Sequence, residues 1–150
     1  MAMRSAIKRH IRLMTSTIHK LNTFDMVKSL LIVSLGGFIG TASRYLISRY
    51  FQLHYVSVFP WGTFTVNILG SLLVGIFFGI SEKGNFMSPE WRLFLTIGLC
   101  GGFTTFSSLS SDALLLLQGK EFLRFAAYSG LSFFLGIAAV YFGRLIIKFI

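Results

Sequence analysis

Gly98-Leu99-Cys100-Gly101-Gly102-Phe103-Thr104-Thr105-Phe106-Ser107-Ser108-Leu109-Ser110-Ser111-Asp112 sits in the middle of an apolar stretch that runs from Trp91 to about Leu117. The stretch exceeds the roughly 20 residues that a helix needs to cross a bilayer. Its centre is unlike that of a plain spanning helix. Two adjacent glycines are followed by six hydroxyl residues, a pattern that predicts a helix interrupted halfway through the membrane. Unwound backbone at that depth is tolerated only where protein or a polar cavity satisfies the freed groups. Carbonyls released in this way can coordinate a cation. A merely kinked helix would leave the density of serine and threonine unexplained.

Three further stretches flank this one, each long enough to span: Ser29 to Phe51, Trp61 to Ile80, and Phe122 to Ile147. Phe59-Pro60-Trp61-Gly62, Glu82-Lys83-Gly84-Asn85 with Ser88-Pro89, and Gln118-Gly119-Lys120 supply the turns between them. Apolar–polar alternation is absent and the runs are too long for barrel strands, so the expected fold is an all-α membrane protein of four transmembrane helices. Small residues recur at helical spacing at Gly36 and Gly40, at Ser71, Gly75 and Gly79, and at Gly98 and Gly102. In lipid such positions let backbones approach closely. Four short helices enclose little interior, and we expect the chain to oligomerise.

Composition agrees. Hydrophobic residues make up 54% of the 150 and charged residues 13%, against about 25% charged in soluble domains. The net charge of +9 flanks the apolar runs and forms no stripe, which places it beside a membrane surface and away from nucleic acid. Without residues 1–25, the two sides of the membrane each sum to +3, counting Lys28, Arg144, Lys148 and a neutral second loop against Arg44, Arg49, Lys120 and Arg124 less Glu121. The positive-inside rule then has nothing to choose between, as expected of a chain that inserts in both orientations.

Enzymatic chemistry has no foothold. His10, His19 and His54 lack evident partners, and the single cysteine, Cys100, reads as a small buried hydrophobe. Asp112 is the one acid within a span. A proton-coupled transporter usually keeps an ionisable group near the midplane, so this pattern favours a passive pathway or a structural role. Asn67 stands in the middle of the second span, in Trp61-Gly-Thr-Phe-Thr-Val-Asn67-Ile-Leu-Gly-Ser71. Its amide serves either as interhelical glue or as an N–H donor to an anion in a pore. Ser71, four residues on, continues that face.

Three motifs resemble those of the Fluc/CrcB fluoride channels: Gly-Gly-Phe-Thr-Thr-Phe-Ser from Gly101, Trp-Gly-Thr-Phe-x-Val-Asn-x-x-Gly-Ser from Trp61, and Gly36-Gly37-x-x-Gly40-x-x-x-Arg44-Tyr45. The resemblance covers about Met26 to Ile150. It implies a passive fluoride channel of a bacterial cell (inner or plasma) membrane, built as an antiparallel, dual-topology homodimer with two pores. It further implies a structural sodium ion (Na+) at the dimer centre, held by backbone carbonyls at the break in the third helix; by motif position these belong to Gly101 and Thr104. The coarser alternatives are a small coupled transporter and a membrane subunit that conducts nothing alone.

Fluoride is small and strongly hydrated, so a pore must replace its water with fixed donors. Asn67, Ser110 and the fourth-span pair Tyr128 and Ser132 carry N–H and O–H groups. Tyr128 and Ser132 also fall where the family has pore-lining hydroxyls. Phe106 matches the first of two family phenylalanines whose electropositive edges face the anion. The second position is Leu109, which offers no such edge, and the family's next polar position after Ser132 is Gly136. The resemblance gives Arg44 a vestibule role in drawing anions, against snorkelling to the headgroups.

Residues 1–25 form a basic arm with Arg4, Lys8, Arg9, Arg12 and Lys20 against Asp25. The arm reads as a basic amphipathic helix on a membrane, a transit peptide or a dispensable, disordered extension. Met26-Val-Lys-Ser-Leu-Leu-Ile-Val is a compact opening for a first membrane helix, and the simplest expectation is Met26 as the biological start, with residues 26–150 forming the channel domain. The intact mass of the natively expressed protein should therefore lack residues 1–25; a mass that includes them overturns this expectation.

Overall fold

The computed structural model describes residues 23–82 and 87–149. The chain divides into two units, residues 1–31 and 32–150. Of the basic arm, residues 1–22 lie outside the described part. Thr23, Phe24 and Asp25 are the opening residues of α1 (Thr23–His54). α2 (Trp61–Glu82) follows after a short loop. Next come α3 (Pro89–Arg92), a π-helical stretch (Leu93–Cys100), α4 (Gly101–Phe103) and α5 (Phe106–Gln118), which together make the third span. α6 (Phe122–Phe149) completes the chain. Among the described residues four helical segments are long and apolar enough to cross a membrane: Thr23–His54, Trp61–Glu82, Pro89–Gln118 and Phe122–Phe149. Each reaches slightly beyond the stretch expected from its apolar residues. Helical hydrogen bonding continues into the polar headgroup layer, whereas hydropathy stops at the hydrocarbon edge.

The third span is interrupted, three residues later than the glycine pair suggests. Gly101 and Gly102 stay helical, and the chain extends at Thr104 (φ −80°, ψ 157°) and Thr105 (φ −152°, ψ 116°). Two physical reasons place the break there. Threonine is β-branched and favours extended backbone, and its hydroxyl can cap the helix that restarts: Thr105 Oγ1 accepts the Ser108 N–H at 3.2 Å. The glycines serve close approach instead. A Cβ at Gly102 would lie 2.5 Å from the Gly37 carbonyl oxygen, and one at Gly36 would lie 2.5 Å from that of Phe94.

α2 and α6 pack side by side and run in the same direction. Gly75 lies against the Val140 carbonyl, Gly143 against the Leu72 carbonyl, and Gly79 against Ile147. The contacts at Gly75 and Gly143 join backbone to backbone, the arrangement that dispersion favours in lipid. Below them, Tyr128 is fully buried with Ala113 and Leu116 of α5, and the Phe59 ring meets it edge-on at 5.5 Å between centroids.

α5 ends in a reciprocal pair of turn hydrogen bonds, Glu121 N–H to the Leu116 carbonyl and Lys120 N–H to that of Leu117. This is the Schellman arrangement, whose left-handed residue is usually glycine. Here that residue is Lys120 (φ 59°), one place after Gly119.

Substituting valine for Gly143 should destabilise the protein by about 1–3 kcal/mol or more, because the added carbons must displace the backbone of α2. Gly130→Ala is the control: nothing lies within 4 Å of its Cβ position, and it should match the parent or gain up to about 1 kcal/mol, since alanine favours helix over glycine. Thermal unfolding of the two purified variants in one detergent checks the contrast; equal stabilities would refute the close-packed contact.

Candidate functional site

The break in the third span is held by one side chain of the second. Asn67 Oδ1 accepts the Thr105 N–H at 2.8 Å, and Asn67 Nδ2 donates to the Thr105 carbonyl at 3.1 Å. The amide thus satisfies both backbone groups of a single extended residue, as a neighbouring strand would. Nδ2 carries two hydrogens, and the second has no protein acceptor among the described residues.

Two sets of backbone groups change partners as a result. The helical partner of the Gly101 carbonyl would be the Thr105 N–H, which Asn67 now holds. The helical partner of the Thr104 carbonyl would be the Ser108 N–H, which instead donates to Thr105 Oγ1. Both carbonyls are released at the C-terminal, electronegative end of the first half-helix. On the other side of the break, α5 starts with its first N–H groups and its positive dipole end. A helix N-terminus favours negative charge.

That N-terminus opens onto a groove of about 570 Å³. Asn67, Ser71 and Val74 of α2 form one wall, and Thr104, Thr105, Phe106 and Leu109 form the second. Ser129, Ser132, Phe133 and Gly136 contribute the α6 side. The Phe106 ring stands at the edge with 81% of its surface exposed. Ser132 is buried, and its Oγ has no hydrogen-bond partner. The lining contains hydroxyls, an amide and apolar groups and holds no acid or base.

The structure therefore brings Asn67, Ser71, Thr104, Phe106, Leu109 and Ser132 to one surface. Ser110 is exposed on α5 and does not line the groove. Tyr128 is turned inward: its hydroxyl donates to Asp112 Oδ2 at 3.2 Å. Asp112 faces a separate hollow of about 190 Å³ with Ser48, Gln52 and Thr63. Arg44 is half-exposed on α1 and lines neither cavity, and Gly101 is exposed one turn before the break. Ser129 and Thr105 are the polar lining residues that motif reading passes over. The spacing of Ser129, Ser132 and Gly136, three and then four residues apart, carries the signal for the first, since such positions share one helix face.

Known proteins bear on this arrangement. The family model described as CrcB-like protein, Camphor Resistance (CrcB), matches residues 31–144. A fluoride-specific ion channel FluC from Flavobacterium psychrophilum is 43% identical over 122 residues, covering 81% of this chain and 98% of that protein. The FluC of Bacteroides fragilis is 46% identical over 117 residues, 76% of this chain and 91% of the relative. That of Leptospira interrogans is 40% identical over 121 residues, 81% of this chain and 95% of the relative. With four apolar spans and a match across nearly the whole length of bacterial relatives, this multi-pass membrane protein belongs to the CrcB-like protein family.

Proposed function

We propose that the chain is a passive fluoride channel that exports cytoplasmic fluoride along the groove between α2, α5 and α6. The observation that carries this reading is the groove's chemistry. It meets an anion with fixed, uncharged donors (the second Asn67 N–H, the unpartnered Ser132 hydroxyl, Ser71 and Ser129) at the positive end of α5. Neutral donors held by the fold replace water around the ion, while a full positive charge would hold it too tightly to let it leave. The Phe106 edge adds a weakly positive contact. Leu109, on the same wall as Phe106, is neutral and offers no such edge, which slows passage and leaves selectivity to the polar donors. Arg44 raises the local concentration of anions from a vestibule position. The relatives named as fluoride-specific channels supply the identity of the ion.

The working unit in this reading is an antiparallel homodimer with two pores. The strongly exposed Phe106, Phe133 and Ile137 at the groove support a second copy as its missing wall. A central sodium ion fits the donor set: Gly101 and Thr104 present released carbonyl oxygens, the hard ligands such a cation takes. Among the described residues no cluster of His, Cys, Asp or Glu offers a competing metal site. Bound there, the ion would supply fixed positive charge next to the break. Asn67 has a separate task, to keep Thr105 extended so that those carbonyls stay free.

Fluoride release from liposomes containing the purified chain tests the proposal. Rapid efflux of fluoride without chloride, needing only a potassium ionophore for charge balance, is the expected result. Efflux that requires a proton or sodium gradient would favour a coupled transporter, and no efflux from a verified dimer would favour a non-conducting subunit. Leu109→Phe should raise or preserve the fluoride rate in the same assay; a complete block would sink the role given to that wall.

A further inference from the structure

The parallel run of α2 and α6 brings two C-terminal helix ends to the same side of the membrane. There they frame a hollow of about 410 Å³ lined by Gly79, Glu82, Tyr141, Arg144, Leu145 and Lys148. Gly79 keeps its floor shallow, for a Cβ there would come within 2.9 Å of Ile147. Leu145 and the exposed ring of Tyr141 give it apolar walls. Glu82 and Lys148 sit in the last turn of their helices and Arg144 one turn earlier, near the depth where a spanning helix meets headgroups.

Arg144 Nε donates to Glu82 Oε2 at 2.7 Å. A guanidinium has five N–H donors, so the four on its Nη atoms remain for another acceptor. Lys148 makes no hydrogen bond or ion pair among the described residues, leaving three more donors and a net positive charge on the hollow. A cation that merely snorkels turns outward to water; here two share one concave surface with apolar sides. The conduction groove holds no charged residue, and the small hollow at Asp112 holds no cation.

We propose that this hollow binds an anionic glycerophospholipid, its phosphodiester held by Arg144 and Lys148 and its acyl chains along the wall formed by Leu145 and Tyr141. The guanidinium fork matches two phosphate oxygens at once, and the ammonium adds a point charge. Basic pockets between transmembrane helices recognise headgroups in this manner. Glu82 has a positioning role, orienting Arg144 by its Nε edge. The site stands apart from the groove and does not depend on which ion that groove conducts.

Native mass spectrometry of the full-length protein in detergent tests the proposal, with titrations of phosphatidylglycerol, phosphatidylcholine and inorganic phosphate. Phosphatidylglycerol should bind saturably, phosphatidylcholine about tenfold more weakly or worse, and inorganic phosphate should not displace the lipid. Replacing both cations (Arg144→Gln with Lys148→Gln) should weaken phosphatidylglycerol binding about 30-fold, and Lys148→Gln alone about fivefold. The single variant breaks no bond within the protein, so it decides the matter even where the double variant folds poorly. Arg49→Gln, which lies outside the hollow, should bind as the parent does. Parental affinity in Lys148→Gln, an equal loss in Arg49→Gln, equal binding of phosphatidylcholine, or displacement by inorganic phosphate would each overturn the proposal.

Discussion

Two hydrogen bonds between Asn67 and Thr105 hold the third span open, and the rest of the site depends on them. A helix that stops in the middle of a bilayer exposes backbone groups where no water can take them up. Each such buried group costs about 1–3 kcal/mol when unmade, so a break without partners would close back into continuous helix. Asn67 answers a donor and an acceptor on one residue with a single planar amide. A hydroxyl at that position could not do so with the same geometry, and a carboxylate would lack the donor.

From that constraint follows a division of charge. Splitting a helix creates two new termini, and the field of each half ends at the break. The first half ends in released carbonyls at Gly101 and Thr104; the second begins with N–H groups at Phe106. Neighbouring sites of opposite electrostatic preference thus arise from neutral residues, without burying ionised side chains in hydrocarbon. Asp112, the acid within the span, is kept to one side by the Tyr128 hydroxyl, so its charge does not line the groove.

Much of this is legible in the residues themselves. Proline, glycine and charged turns bound the four spans, and Gly36, Gly75 and Gly102 announce close packing. The interruption is legible from Gly101-Gly102 and the hydroxyls, yet its place is not, because glycine permits a break while Thr105 and Asn67 create one. Asn67 illustrates a related ambiguity. Its two readings, glue or pore donor, compete in the sequence, but the amide uses one N–H for the first and keeps the other without a protein acceptor among the described residues. On α6 the turn of about 100° per residue decides matters. Tyr128 and Ser129 are adjacent in the chain, and only tertiary packing says that the ring points inward and the serine to the groove. Gly143 escapes notice because its partner, Leu72, is far away in sequence. Lys120 escapes it because Gly119 looks like the obvious left-handed residue.

The pairing of α2 with α6 also bears on how the protein is made. Ribosomes deliver α2 to the membrane well before α6, with the entire third span still to come. Until α6 arrives, the backbone around Gly75 and Gly79 has no protein cover, and Asn67 must wait for Thr105 before its amide is satisfied. The nascent chain therefore carries one unsatisfied amide in an otherwise apolar helix until the third span arrives. The Asn67–Thr105 pair can close once the third span is in place, whereas the backbone contact of α2 with α6 forms only when Gly143 has entered the bilayer.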